Sequence, residues 1–393
     1  MTIPVKKIST FCKTGSGGTP SRSNNAFFEN GTIPWVKSGE LKNRYITEIE
    51  EYITDLAVEK SSAKLVSKGS LLIAMYGATV GEVSQLTFDA TTNQAICNIH
   101  PDENVCDVNY LYRFLEASKP YLLSRRVGGG QPNISQSVIK DLDVPLPPLS
   151  EQRRIASILD QADELRQKRQ QAIEKLDQLL QATFIDMFGD PVSNPKGFEI
   201  RKLSEQVDLI QIGPFGTQLH QEDYIENGIP LINPSHIKDG KIVPNHKLTV
   251  SQSKYEELTQ YHLQLNDVLL GRRGEMGRCA VVTEKEVGWL CGTGSLFLRP
   301  NIEKINPLFL ELLLSSDSIK RYLENVSQGQ TMANLNKTIV GAIPLITPSI
   351  ELQNKFFLIA EKIDKMKIQL INAKNQANNL FESLQNQAFS GNL

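Results

Sequence analysis

The chain has 393 residues, a formal net charge of −2 and 40% apolar residues, which fits two or three domains with ordinary cores and excludes a disordered chain. A charge so near zero argues against a protein that grips nucleic acid through bulk electrostatics alone, because phosphate neutralisation supplies most of such affinity. The longest apolar run, residues 71–75, is far short of the roughly 20 residues that span a bilayer; five cysteines without a C-x-x-C pair and no signal-like start point to a reducing cytoplasm.

Residues 1–149 mix short apolar runs with turn signals such as Gly15-Ser16-Gly17-Gly18-Thr19-Pro20 and Asn30-Gly31. Periodicity predicts strands over 33–36, 70–75 and 95–99 and a helix over 108–118, an α+β domain. Val144-Pro145-Leu146-Pro147-Pro148-Leu149 then forms a stiff, extended lead-in. Ser150 is the expected N-cap of the next element, with Glu151 in its positive first turn. Ile155, Ile158, Ala162, Leu165, Arg169, Ala172, Leu176, Leu179 and Thr183 recur in steps of three and four, the seam of a coiled coil. A helix of about 37 residues is roughly 55 Å long. Arg169, a polar seam residue, reads as a register device rather than a partner contact. Gly189-Asp190-Pro191 stops the helix.

The segment 190–346 repeats the landmarks of the first domain: Asn30-Gly31-Thr32-Ile33-Pro34 returns as Asn227-Gly228-Ile229-Pro230, and Ser70-Leu71-Leu72-Ile73 as Asp267-Val268-Leu269-Leu270. In 347–393 the seam returns as Phe356, Ile359, Ile363, Met366, Leu370, Ala373, Ala377, Leu380 and Leu384, each 201 positions after its counterpart. The chain is therefore a duplication: domain 1–149, helix 150–189, domain 190–346, helix 347–393. The expected fold is α+β, with two pseudo-repeated globular domains separated by two long helices packed as an antiparallel coiled coil. If each domain reads a short stretch of duplex, the pseudo-dyad makes the target bipartite, with an unread stretch between its halves.

Catalytic signals are missing. Asn233-Pro234-Ser235-His236 lacks the second proline and the aromatic of an adenine-methylating loop, and no G-x-x-x-x-G-K-[ST] phosphate loop occurs. His220, His236, His246 and His262 are spaced 16, 10 and 16 apart, which matches no zinc pattern and reads as scattered surface histidines. Base reading needs Arg or Lys for guanine and Asn or Gln for adenine. Arg272 and Arg273 follow a predicted strand, and Tyr76 and Thr79 follow its counterpart; a hairpin turn with solvated arginines is equally compatible. Lys37 and Ser38, with Asn233 and Ser235, sit at matching strand ends and either face DNA or simply terminate the strands. Gln131 and Asn133, with Gln330 and Asn334, lie in matching loops whose shared glutamine favours a structural role.

Taken in order, Ser16-Gly17-Gly18-Thr19-Pro20-Ser21, Ile33-Pro34-Trp35-Val36-Lys37, the Gly-rich loop 128–135, Pro145-Leu146-Pro147-Pro148-Leu149-Ser150-Glu151-Gln152 and Gly213-Pro214-Phe215-Gly216-Thr217 resemble the specificity subunit of a Type I restriction-modification enzyme. The resemblance covers essentially the whole chain. It implies two target-recognition domains on double-stranded DNA and two spacer helices. It also implies a non-catalytic role beside two adenine-N6 methyltransferase subunits and ATP-driven motor-nuclease subunits. S-adenosylmethionine, ATP and Mg would belong to those partners, with no cofactor in this chain. One departure stands out: the second helix opens on Thr347-Pro348-Ser349-Ile350-Glu351-Leu352-Gln353 in place of Pro-Pro-Leu-Ser-Glu-Gln, so it is expected to cap or dock a partner differently. A coiled-coil scaffold that clamps two proteins without reading bases is the competing class.

Overall fold

The computed structural model describes residues 3–127, 133–238, 240–274, 276–327 and 335–393. Two compact units emerge, Met1–Gln171 with Leu370–Leu393, and Ala172–Gln369. The division falls inside both long helices.

In the first unit a mainly antiparallel sheet runs Cys12–Ser16, Ile96–Pro101, Leu71–Ala74, Val83–Leu86, with Tyr45–Ile46 parallel at its edge. A second sheet runs Tyr52–Ile53, Ile33–Val36, Ala90–Thr92, Leu65–Val66. The second unit repeats the plan. Val207–Ile212, Ser295–Pro300, Val268–Gly271 and Cys279–Val281 form one sheet, and Tyr224–Ile225, Thr249–Val250, Ile229–Ile232 and Leu290–Cys291 the other. The registers match as well: Trp35 pairs with Thr91 in parallel, as Leu231 does with Leu290. The central strands Leu71–Ala74 and Val268–Gly271 are buried on both faces, which is why they read as unbroken apolar runs.

A short antiparallel clip closes each domain, Val5–Lys7 on Asp143–Pro145 and Ile200–Lys202 on Pro344–Ile346. The chain then enters the long helices, Leu149–Phe188 and Ile350–Ser390, the first roughly 60 Å long at 1.5 Å per residue. Ser150 lies one residue inside the helix and is not its N-cap; Pro148 takes that place, its carbonyl accepting from Glu151 and Gln152 N–H at 2.8 and 3.0 Å. One turn in, Gln152 is 1% exposed. Its amide accepts from Asp107 N–H (2.9 Å) and donates to the Pro147 (2.8 Å) and Val105 (3.0 Å) carbonyls. Gln353, also 1% exposed, does the same with Asn306 N–H (2.8 Å) and the Pro348 (2.9 Å) and Lys304 (3.3 Å) carbonyls. The altered approach to the second helix thus leaves this contact unchanged. A buried ion cluster adds to the first junction, where Arg113, 1% exposed, meets Asp160 (2.8 Å), Asp163 (3.1 Å) and Glu116 (2.9 Å).

The helices pack together, and within each unit they run in opposite directions. In the first unit Ile155 and Leu159 share a core with Phe381 and Ala388, Lys374 Nζ reaches Gln170 at 2.5 Å, and Arg169 donates to the Ala373 carbonyl. In the second, Lys367 Nζ lies 2.6 Å from Asp177, and the Phe184 and Phe188 rings lie 5.6 and 5.5 Å from Phe356. The 201-residue offset holds, but the phase differs from the expected seam. Ile155, Ala162, Arg169, Leu176 and Thr183, with Phe356, Ile363, Leu370, Ala377 and Leu384, lie at buried or half-buried positions. Of the alternate members, Ile158, Ala172, Ile359 and Ala373 are half-buried, flanked by Leu159, Ile173, Ala360 and Lys374, whereas Leu165, Leu179, Met366 and Leu380 are exposed and give way to Arg166, Leu180, Lys367 and Phe381. Leu165, Leu179, Met366 and Leu380 are 43–54% exposed. The cause is local composition. Ile158-Leu159, Leu179-Leu180 and Leu380-Phe381 offer apolar side chains at both phases, while the packed positions 166, 367 and 374 carry Arg or Lys, whose stems cover apolar surface while their heads reach out; the Arg166 guanidinium lies 4.0 Å from the Phe381 ring centroid.

Among the described residues no helix is long and apolar enough to cross a membrane. His236 corrects the reading of the histidines as surface groups: it is 5% exposed, with Nδ1 3.1 Å from the Leu231 carbonyl, and burial holds it below the usual imidazole range. Glu311, on the helix Pro307–Ser315, is 6% exposed, and burial pushes its carboxyl up to about 7.

Two outcomes follow from this packing. Leu159→Ala is expected to cost about 2–5 kcal/mol in urea unfolding and Leu165→Ala less than about 0.5 kcal/mol; the reverse order would overturn the shifted phase and restore the one expected from the heptads. Glu311 in the folded chain keeps a proton that the unfolded chain releases near 4.5, so it lowers stability as pH rises through the window up to about 7. Glu311→Gln should therefore gain on the parent between pH 5 and pH 8, by on the order of 2 kcal/mol, in unfolding midpoints measured across that range.

Candidate nucleic-acid interface

Side chains that read bases must stand on loops held in place by something other than those side chains. In the first unit Asn93 N–H bonds the Val36 carbonyl (2.9 Å), Met75 N–H the Ala95 carbonyl (2.7 Å), and Ile134 N–H the Met75 carbonyl (2.9 Å). In the second, Gly292 N–H bonds Ile232 (2.9 Å), Arg272 N–H bonds Gly294 (3.0 Å), and Leu335 N–H bonds Arg272 (3.0 Å). The same three links thus join the same four segments in both repeats. A fifth segment, the glycine loop, closes on them through Gly18 N–H to Thr92 (2.9 Å) and Gly213 N–H to Ser295 (3.0 Å). Glycine is required at this approach: a Cβ on Gly17 would lie 2.0 Å from the Thr92 carbonyl oxygen, and one on Gly213 2.0 Å from that of Gly292.

Most of the base-reading candidates come together at this cluster. Lys37 is engaged, its Nζ 2.8 and 3.0 Å from Glu50 and Glu51, and the hydrogen bonds to Glu50 and then Glu51 raise its pKa. Ser38 opens the half-buried turn Ser38–Glu40. Asn233 caps the turn Pro234–His236 and accepts from Gly294 N–H at 3.3 Å, whereas Ser235 is exposed. Tyr76 is 45% exposed, and its backbone pairs with Asn133; Thr79 is half-buried in the turn Gly77–Thr79. Asn133 also exchanges backbone hydrogen bonds with Val127 at 2.9 and 3.1 Å. Arg272 is 4% exposed; burial, then the adjacent Arg273 charge, lowers its pKa, and its guanidinium lies 5.9 Å from the Phe215 ring centroid. Arg273 is exposed. Gln131, Gln330 and Asn334 lie outside the described residues.

Two features were missed. The loop Thr92-Asn93-Gln94-Ala95 and its counterpart Cys291-Gly292-Thr293-Gly294 form the centre of each cluster, with Gln94 exposed and bonded to the Thr19 hydroxyl. Their signal was a polar break between two apolar strands at the same place in each repeat. Phe215, 55% exposed on the second glycine loop, is the other: it belongs to the motif Gly213-Pro214-Phe215-Gly216-Thr217 and stands outside the base-reading candidates. Among the described residues no three His, Cys, Asp or Glu side chains gather to hold a metal ion.

The family described as Type I restriction modification DNA specificity domain matches residues 2–175 and again 195–378. The MjaIX specificity subunit of Methanocaldococcus jannaschii is 29% identical over 257 residues, 60% of this chain and 58% of that one. The EcoR124I/EcoR124II specificity subunit of Escherichia coli is 31% identical over 168 residues, 42% of this chain and 41% of that one. The matched parts therefore span about half the length of these two relatives. The MjaVIII specificity subunit of M. jannaschii is 25% identical across 87% of this chain and 86% of its own. Among solved structures, the S subunit from M. genitalium has a TM-score of 0.57 at 18% identity with 99% of both chains covered. A chain from a structure on assembly and conformational transition of the type I R-M system has a TM-score of 0.64 at 18% identity with 100% of both chains covered. These two share the fold.

The close approach at the glycine loop yields a paired test. Gly213→Ala should lower the stability of the second unit by about 1–3 kcal/mol, because backbone rather than a flexible side chain must move, while Gly216→Ala, with nothing within 4 Å of its Cβ, should stay within about 0.5 kcal/mol. Thermal unfolding of the two variants distinguishes them.

Proposed function

The chain belongs to the Type I restriction-modification DNA specificity family, and from that premise we propose that it is the sequence-reading subunit of a Type I restriction-modification complex. Each α+β unit reads one half of a split duplex site, and the paired helices set the number of unread base pairs between the halves. The observation that carries this reading is the matched cluster: identical backbone links in both repeats present Tyr76, Thr79 and Gln94 in one and Arg273 and Ser235 in the other. One scaffold with two sets of exposed or half-exposed polar side chains suits two different half-sites, since function resides in sites grafted on folds. A scaffold that only clamps proteins has no need of such a pair.

The chain itself performs no chemistry in this reading. Two adenine-N6 methyltransferase subunits dock along it and bring S-adenosylmethionine; motor-nuclease subunits bring ATP and Mg. With a net charge of −2, the chain relies on those partners for much of the phosphate neutralisation that holds DNA. It works in the cytoplasm, beside the chromosome it marks.

The N6-methyladenine map of cells with the gene intact and deleted tests this. A split motif carrying one methylated adenine on each strand should be present with the gene and vanish without it. A motif that persists after deletion would assign the reading to another chain.

A further inference from the structure

Arg273 and Tyr76 occupy the same place in the two repeats. Each follows a residue whose carbonyl is held by the returning loop, Arg272 by Leu335 N–H and Met75 by Ile134 N–H. Each precedes a glycine at positive φ, Gly274 at +81° and Gly77 at +78°, a conformation that fixes the turn and that other residues rarely adopt. The preceding side chains both point inward, Arg272 and Met75 each being 4% exposed. The next side chain is left on the outside in both cases. Backbone geometry is thus held constant while chemistry changes from a phenol to a guanidinium.

Of the other candidates, Ser235 is exposed but offers a single hydroxyl, and three others are otherwise occupied. Lys37 is held by two glutamates, Asn233 by the backbone of Gly294, and Arg272 is buried. Arg273 is the exposed side chain of the second cluster whose planar fork of donors matches the O6 and N7 acceptors of guanine. Resting on the proposed DNA-reading function, we propose that Arg273 reads a guanine in the half-site bound by the second unit and that position 76/273 is a specificity-determining position of the repeat. Tyr76, with one hydroxyl in place of the fork, makes no such bidentate contact, so this guanine requirement is confined to one half of the motif.

The test uses the full chain in complex with its methyltransferase partner, mapping N6-methyladenine and comparing methylation rates on duplexes varied at each motif position. Arg273→Ala should lose between about fivefold and about 150-fold discrimination at one guanine of one half-site, the range a single bidentate pair supplies, and leave the other half unchanged, while Arg273→Lys, which keeps the charge and a donor without the rigid fork, should lose part of it. A motif unaltered in both Arg273→Lys and Arg273→Ala overturns the assignment. So does a uniform loss over all sequences in Arg273→Ala that Arg273→Lys restores, because that pattern marks a phosphate contact. A parent complex that shows no split motif overturns the DNA-reading function itself, a result visible before any variant is made. Equal unfolding midpoints of parent and variants keep a folding defect from imitating the expected result.

Discussion

One buried glutamine amide ties each domain to its helix. Gln152 and Gln353 each satisfy one N–H and two carbonyls that the proline-rich approach and the neighbouring loop would otherwise leave unpaired inside the protein. A buried backbone group without a partner costs on the order of 1–3 kcal/mol, so one side chain removes such a cost at the buried Pro147 or Pro348 carbonyl and pairs two part-buried groups as well, at the point where a sheet domain becomes a long helix. The same amide bonds the N–H of Asp107 or Asn306, residues that themselves cap the helices Val108–Ala117 and Pro307–Ser315. Two helix starts are therefore fixed against each other in each unit, and the direction in which each long helix leaves its domain is set there.

The clusters of loops depend on that anchoring. From Ile134, bonded to Met75, the chain passes through the short helix Gln136–Lys140 and the clip strand Asp143–Pro145 to Gln152. Fewer than twenty residues separate the reading edge from the amide, and all but a few of them are in regular structure or proline. The second unit follows the same path from Leu335 through Lys337–Gly341 and Pro344–Ile346 to Gln353. A displacement at the helix start is carried to the loop that holds the strand end, because little compliant chain lies between.

The duplication, the α+β character and the strands 33–36 and 268–270 were legible because they rest on features a sequence carries directly: period-two or unbroken apolar runs, prolines, and a constant offset between seams. The phase of the seam was not. Heptad reading chooses between adjacent positions by polarity, and here Leu165 and Met366 outrank Arg166 and Lys367 in apolarity while the backbone turns the latter inward. Likewise Ser150 looked like a cap, yet Pro148, which has no N–H to satisfy and a free carbonyl to offer, starts the helix two residues earlier. The strand-end candidates could be located, since strands end where their apolar runs end. That Lys37 is spent on Glu50 and Glu51, or that His236 faces the core, depends on partners 13 or 14 residues away or on a turn's direction, which no local pattern contains.

The division of labour inside the cluster explains how two copies of one fold can diverge in what they read. The links that recur in both repeats are backbone hydrogen bonds, and the positions that tolerate no side chain are glycines pressed against a carbonyl. Replacing an outward residue such as Tyr76 or Arg273 removes no link and fills no core, so its cost to folding is that of a surface substitution, within about 0.5 kcal/mol. Replacing an inward one is different: Met75 and Arg272 share a buried slot, and the guanidinium there must find hydrogen bonds that a thioether does not need. The outward positions are therefore free to follow the demands of the ligand, while the inward ones and the glycines are bound to the fold. A scaffold organised this way changes its target by exchanging side chains at the rim, without repacking the sheets that hold them.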